Sequence, residues 1–304
     1  MSNSVKAEET LGGLPLPVKS VLRARYELVD VVGRGGMSTV YSAIDRFRLR
    51  ARSPNPLVAI KVLNVNRKID AAAVELMHRE ARRMQEFQHP NVVRVYDWDQ
   101  DGPIYFIIME LLQGRTLGAI FKERGEEPLA RKSALEIVEA VGKGLIYAHE
   151  QGIVHTDLKP GNVFITRTGE IKLLDFGLAH RHDPVPMLEG DEPTVMYFNQ
   201  VGALTPAYAS LEMLLGIQPT PADDVYSLGV ITYMLLTGRH PFDRKTAKKA
   251  EAEGLRPIRP KGLGSRQWHA LKKALAFQRI DRTAYVDEFL EEFIPRRWFG
   301  RLFG

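Results

Sequence analysis

Two hydrophobic patterns divide the chain, and the change from one to the other falls near residue 110. Before it, apolar residues come in short runs bounded by glycine, proline and charged residues, the pattern of strands. Residues 26–32, 39–44, 57–63, 92–96 and 104–110 read as five antiparallel strands. Between the third and fourth, residues 70–88 place Val74, Met77, Ala81, Met84 and Phe87 at helical spacing, and Pro90 stops that helix. Gln113 and Gly114 break the strand pattern. Beyond them, residues 133–149 put Leu135, Val138, Val141, Leu145 and Ala148 on one helical face. Further helices are expected over 224–236, 267–277 and 285–293, and residues 180–209 are irregular. The fold class is α+β: a small half with five strands and one helix, a larger helical half, and a cleft between two lobes. Four segments follow: a tail over 1–22, lobes over 23–112 and 113–294, and a basic, aromatic tail over 295–304.

Three places combine polar residues in ways a core does not need. Gly33, Gly35 and Gly36 lie in the turn after the first strand, where a bare backbone can approach phosphates, although most glycine hairpins are only hairpins. Lys61 sits inside an apolar strand; a cation there needs a partner, and Glu80 of the expected helix is the natural one. The third place is double. Ile153 and Val154 lead into His155, Thr156, Asp157, Leu158, Lys159, Pro160, Gly161 and Asn162, and a dozen residues on Leu173 and Leu174 lead into Asp175, Phe176 and Gly177. Two apolar runs ending in aspartates would present carboxylates to one cleft. Such a set suits a magnesium nucleotide, with oxygen ligands for the metal, a carboxylate for a hydroxyl proton and a lysine for phosphate charge.

Composition narrows the setting. With 44% hydrophobic and 26% charged residues in 304, the chain is an ordinary globular one. Its net charge of +5 is spread among interleaved acids and bases, so the charges read as solvated faces and no nucleic-acid partner is expected. The connection over 46–56, carrying Arg46, Arg48, Arg50 and Arg52, reads as an exposed loop; a docking patch for an acidic partner has no further support. Cysteine is absent, which rules out disulfides and thiolate metal sites and fits the cytoplasm. The first twenty residues lack the apolar core of a signal peptide, and no apolar run reaches transmembrane length. Residues 295–304 read as a helix packing its aromatics on the domain. The alternative is a membrane-proximal segment, the chain then being the cytoplasmic part of a longer tethered protein.

The glycines, the strand Val58, Ala59, Ile60 and Lys61, the loop from His155 to Asn162, and Asp175, Phe176 and Gly177 stand in a telling order. Over residues 25–293 they resemble the protein-kinase signature set, and are most similar to bacterial serine/threonine kinases of the eukaryotic-like type. The resemblance implies the bilobal kinase fold, with a five-stranded N-lobe and a helical C-lobe. It implies ATP and Mg²⁺, with Mn²⁺ as an alternative ion. Lys61 would hold the phosphates and pair with Glu80; Asp157 would orient the acceptor hydroxyl and take its proton; Lys159 would neutralise the transferring group; Asn162 and Asp175 would hold the metal. Gly33, Gly35 and Gly36 would cover the phosphates. Val40, Ala59 and Phe164 would sandwich the adenine beside Met109, with hinge hydrogen bonds from the backbones of Glu110 and Leu112. His155 and Phe176 are scaffold by this resemblance, Asp224 ties down the catalytic loop, and Glu212 with Arg282 forms the ion pair of the substrate side. Implied partners are proteins with Ser/Thr acceptors, forkhead-associated readers of phosphothreonine, and a second copy during autophosphorylation.

The sequence departs from the family in four places. Ser38 replaces the third glycine, Ser210-Leu211-Glu212 stands for Ala-Pro-Glu, and Leu204 precedes Thr205-Pro206 where relatives carry glycine. Thr156 replaces the arginine that grips an activation-loop phosphate. A neutral hydroxyl cannot make that charge-assisted fork, so activity is not expected to depend on a phosphate docked there. Thr194 and Thr205 are the loop threonines of interest, and Thr205 is expected to bond near Asp157 and Lys159. Two other readings compete: a pseudokinase that binds without turnover, and a small-molecule phosphotransferase.

Overall fold

The structure, a computed structural model, describes residues 16–35, 38–63, 84–176, 180–181 and 205–295. Gly36, Glu80, Gly177, Thr194, most of the helix expected over 70–88, and both outer ends (1–15 and 296–304) lie outside the described residues. The chain divides into two compact units. One comprises the residues up to 88 together with 93–113, the other 89–92 and everything from 114 onward.

The first unit is a six-stranded antiparallel sheet of β1 (Val21–Leu22), β2 (Tyr26–Arg34), β3 (Ser38–Asp45), β4 (Leu57–Leu63), β5 (Val95–Asp101) and β6 (Ile104–Met109). Their order is β1-β2-β3-β4-β6-β5. Period-two alternation sends Tyr41, Ala43, Val58, Ile60, Val62, Phe106 and Ile108 to one face, where they form the core with Leu16, Leu22, Tyr26 and Leu28. Five strands were expected and six form. The extra one, β1, is joined to β2 through Arg23 and Ala24, both left-handed at φ 52 and 51. Neither is glycine or asparagine, so the turn carries no sequence signal. Its strain is held from outside, since Asp101 accepts the Arg23 N–H at 2.6 Å and Asp99 accepts its Nε at 3.2 Å. Residues 16–22, expected in the tail, therefore pack on the sheet; the buried Leu16 accepts the Tyr41 hydroxyl at 3.2 Å through its carbonyl.

The basic connection is also more ordered than expected. Residues Arg46–Arg50 form a helix, α1, because the buried Asp45 caps it by accepting the N–H groups of Phe47 and Arg48. Arg25 grips the same carboxylate through Nε at 3.0 Å and a terminal nitrogen at 2.7 Å. Burial pushes the Asp45 carboxyl up, and the Arg25 and backbone hydrogen bonds overcome this and hold it below the usual carboxylate range. Of the helix expected over 70–88, residues 84–86 are described as helical, and Met84 and Phe87 are buried.

The second unit is mainly helical: α2 (Leu117–Arg124), α3 (Arg131–Glu150), α4 (Leu211–Leu214), α5 (Pro221–Thr237), α6 (Ala247–Ala252), α7 (Ser265–Ala274) and α8 (Val286–Phe293). Short strands β7 (Gly114–Thr116), β9 (Val163–Thr166) and β10 (Ile171–Leu173) pair in the order β10-β9-β7, and β8 (Ile153–Val154) pairs with β11 (His180–Arg181). Residues 221–235 of α5 are buried, its mostly apolar surface covered on every side with a few polar groups among it, and α3, α7 and α8 pack on it. Its start is set by a capping box between Thr220 and Asp223. Its end is set by Gly238 at φ 74, where a Cβ would lie 2.0 Å from the Glu126 carbonyl oxygen. Among the described residues, no helix is long and apolar enough to cross a membrane.

Candidate active site

In the first unit, strand register decides which candidates share a face. Lys61 lies across from Val40 on β3 and Ile107 on β6, while Ala59 lies across from Ser42 and Met109. Residues two apart on a strand point the same way, so Val40, Ala59, Lys61 and Met109 line the face opposite Tyr41, Ile60 and Phe106. Ala59 and Met109 are buried and Lys61 is half-buried. The glycine turn is closed by the Gly35 N–H on the Ser38 carbonyl at 2.8 Å. A Cβ on Gly33 would come no nearer than 3.7 Å to Val40, and one on Gly35 no nearer than 3.6 Å to Ser38; neither glycine has a left-handed φ. Among the described residues, local structure therefore gives no reason for glycine at either position. After β6, the Glu110 N–H bonds the Arg94 carbonyl at 2.9 Å and its carboxylate accepts the Arg94 N–H at 2.8 Å, and the half-buried Leu112 follows.

In the second unit, the loop from β8 to β9 gathers the charged candidates. Asp157 is seated by three side chains. Lys159 Nζ donates to Oδ2 at 2.6 Å, Thr205 Oγ1 donates to Oδ1 at 3.0 Å, and Asn162 Nδ2 lies 3.2 Å from Oδ2 and 2.9 Å from the Asp157 carbonyl. Lys159 also reaches Thr205 Oγ1 at 2.8 Å, as expected for that threonine. A carboxylate offers about four lone-pair positions, so Asp157 is fixed in direction and keeps room for one more donor. The Asn162 carbonyl accepts the Leu174 N–H at 2.8 Å, which brings the chain before Asp175 against the loop, and Asp175 is left-handed at φ 53. Phe164 stands on β9 opposite Lys172 and Thr116.

The loop is held from below by α5. The fully buried Asp224 accepts the N–H groups of His155 at 2.8 Å and Thr156 at 3.1 Å, and lies 2.7 Å from His149 Nε2. Burial pushes its carboxyl up, but the His149 hydrogen bond and charge, with His155, bring it below the usual range. Thr156 is left-handed at φ 63, a costly conformation for a β-branched residue, and the Asp224 bonds hold it there. His155 is buried, bonds the Leu174 carbonyl at 3.0 Å and packs its ring 4.6 Å from that of Phe176, which makes it scaffold. Downstream, Glu212 and Arg282 form the expected buried pair at 2.8 Å.

The family model for the protein kinase domain matches residues 26–293. The chain belongs to the protein kinase family. It is 36% identical over 226 residues to the serine/threonine-protein kinase PknA of Mycobacterium tuberculosis, an alignment covering 73% of this chain and 48% of that one. It is 34% identical over 249 residues to PrkC of Bacillus subtilis, covering 82% and 35% respectively. This is a serine/threonine protein kinase domain of the bacterial, eukaryotic-like kind, and the chain spans about half the length, or less, of these curated relatives. In fold it is similar to the kinase domain of Mycobacterium tuberculosis PknI, with TM-score 0.68 and 24% identity over 92% of this chain and 98% of that one.

Sequence reasoning missed several residues that hold this kinase site together. His149 lies on the expected helix, and its bond to Asp224 spans 75 residues. Ser210 caps α4 and donates to Asp223 at 2.6 Å. Asp223 also takes Arg279 at 2.7 Å. These partners are distant in sequence, so no local spacing announces them. The pair Asp223 and Asp224 at a helix start was the available signal.

Proposed function

We propose that the domain is an active protein serine/threonine kinase that transfers the γ-phosphoryl group of ATP to serine and threonine hydroxyls of proteins. The observation that carries this reading is the seating of Asp157 between Lys159, Thr205 and Asn162. Bound ATP supplies the phosphoryl group, and Mg²⁺, or Mn²⁺ in its place, offsets the phosphate charge. Asn162 and Asp175 would hold the ion. The Asn162 amide nitrogen faces Asp157, which leaves its side-chain oxygen as a ligand. Among the described residues no group of three acidic or histidine side chains gathers, which suits an ion taking its other oxygens from phosphate and water.

Asp157 orients the acceptor hydroxyl and takes its proton, and Lys159 stabilises charge on the group in flight. Lys61 holds the phosphates and pairs with Glu80. Gly33, Gly35 and Gly36 cover the phosphates, a role supported by the lack of any local reason for the first two. Val40, Ala59, Met109 and Phe164 enclose the adenine, and the backbones of Glu110 and Leu112 bond its edge. Thr156 is buried and uncharged, so activity is independent of a phosphate docked at that position. Mapping the loop phosphosites, replacing each by alanine and finding activity abolished would sink that last claim. The kinase works in the cytoplasm, phosphorylates itself through a transient second copy, and offers the product to forkhead-associated readers.

Intact-protein mass after incubation with Mg-ATP, beside the Asp157→Asn variant, tests the reading. Phosphate-sized increments on serine and threonine in the wild type alone are expected. ATP binding without any increment, on itself or on a protein acceptor, would favour a pseudokinase; transfer to choline or an aminoglycoside instead would favour a small-molecule phosphotransferase.

A further inference from the structure

His240 follows α5 at the head of the turn over 240–245 and is buried, 7% exposed. Both ring nitrogens are engaged. Nε2 lies 2.9 Å from the Ala207 carbonyl, and Nδ1 lies 3.1 Å from the N–H groups of both Phe242 and Arg244. A carbonyl only accepts and an N–H only donates, so the ring is neutral with its proton on Nε2. Burial lowers its pKa, in keeping with a neutral ring; the Arg244 charge adds to this, while the Ala207 bond and Asp243 act the other way.

The two sides of the ring meet different problems. On the Nδ1 side, Asp243 and Arg244 are consecutive left-handed residues, φ 51 and 60, and neither is glycine. The imidazole closes the turn that contains them. On the Nε2 side lies the segment 205–210, which is pinned at successive points. Thr205 sits between Asp157 and Lys159, the Tyr208 carbonyl accepts the Ser227 hydroxyl at 2.8 Å, and the Ser210 hydroxyl bonds Asp223. Ala207 has no polar side chain with which to anchor itself, and its carbonyl is held by His240. The Tyr208 ring packs edge-on against the imidazole, with centroids 5.8 Å apart. Because Thr205 bonds Asp157, an acceptor hydroxyl that meets Asp157 would lie beside the start of this segment.

We infer that His240 is a positioning residue for the protein acceptor, acting through the Ala207 carbonyl to fix the strip on which the acceptor peptide lies. This rests on the kinase reading above. Two amide variants separate the two sides of the ring. His240→Asn places an oxygen near the Nδ1 position and keeps the turn closed without a donor to Ala207. His240→Gln places an N–H near Nε2 and keeps the bond to Ala207.

The experiment is steady-state transfer to a threonine peptide selected with the wild-type enzyme, with the KM values for peptide and ATP determined separately and the melting temperature of each variant. His240→Asn is expected to raise the peptide KM about 5- to 10-fold, the worth of one neutral hydrogen bond, with kcat and the KM for ATP within about 2-fold. His240→Gln is expected to restore the peptide KM to within about 2-fold of wild type. With an active wild type, an unchanged peptide KM in His240→Asn would overturn the inference, as would equal losses in both variants that track their melting temperatures. A wild type that phosphorylates no peptide would instead overturn the kinase reading itself.

Discussion

Replacing Asp224 by asparagine changes one atom in a fully buried site and should unfold more than its size suggests. The carboxylate takes three donors: His149 Nε2 at 2.7 Å and the N–H groups of His155 and Thr156 at 2.8 and 3.1 Å. An asparagine can satisfy one side with its oxygen, but its NH₂ then faces an N–H on the other. Donor meets donor without water to intervene. Breaking a buried charged arrangement by altering one partner costs about 3–5 kcal/mol, and here the change also removes what holds Thr156 in its left-handed conformation. At about 2–4 °C per kcal/mol for a unit of this size, the melting temperature should fall by roughly 6 to 20 °C. Urea unfolding followed by circular dichroism gives the free energy, and scanning calorimetry gives the temperature. His149→Ala should cost less, about 1–3 kcal/mol, because the two backbone donors remain. If Asp224→Asn lies within about 1 kcal/mol of wild type, the carboxylate is not what holds the loop, and the reasoning fails.

Stability should also fall as the pH drops, in two stages. His240 and His89 are lowered in the folded chain chiefly by burial, so the unfolded chain binds more protons and stability declines below about pH 6.5. Asp45, Glu212 and Asp224 are lowered too, so their contribution is complete above the ordinary carboxylate range near pH 4 and is lost as the pH falls through their folded values. Urea midpoints from pH 8 to 3 check both stages; a midpoint that rises between pH 7 and 5 would contradict the first. Gly33→Ala and Gly35→Ala should leave the melting temperature within about 2 °C, since a Cβ meets only ordinary contacts, yet raise the KM for ATP several-fold. A large loss of stability with unchanged ATP kinetics would show that those glycines serve the fold.

Much of this was legible because the motifs are local and their patterns strong. Residues 133–149 announce α3 through apolar spacing, and the buried Leu135, Val138, Val141, Leu145 and Ala148 follow from it. The loop from His155 to Asn162 is contiguous, so its gathering around Asp157 needs only a turn and a short helix. What stayed hidden depends on partners far away or on backbone that ignores residue preference. Nothing in Arg23 and Ala24 says that a hairpin turns there, because Asp99 and Asp101, more than seventy residues on, supply the compensation. The arginines over 46–52 look solvated, while the cap that folds them is Asp45, an aspartate at the end of a strand. His240 lies in a short polar stretch after a helix, and its use depends on Ala207, a residue with no chemistry of its own.

The proposed chemistry turns on Asp157 taking the proton of the acceptor hydroxyl. The most direct test is the rate of phosphoryl transfer to a threonine peptide by wild type and Asp157→Asn, with ATP affinity measured by equilibrium binding on the same samples. In the variant, kcat is expected to be lower by about 10²- to 10⁴-fold, the usual worth of a positioned base, with an ATP affinity within about 3-fold of wild type. A variant that keeps more than about a tenth of the wild-type rate would contradict it.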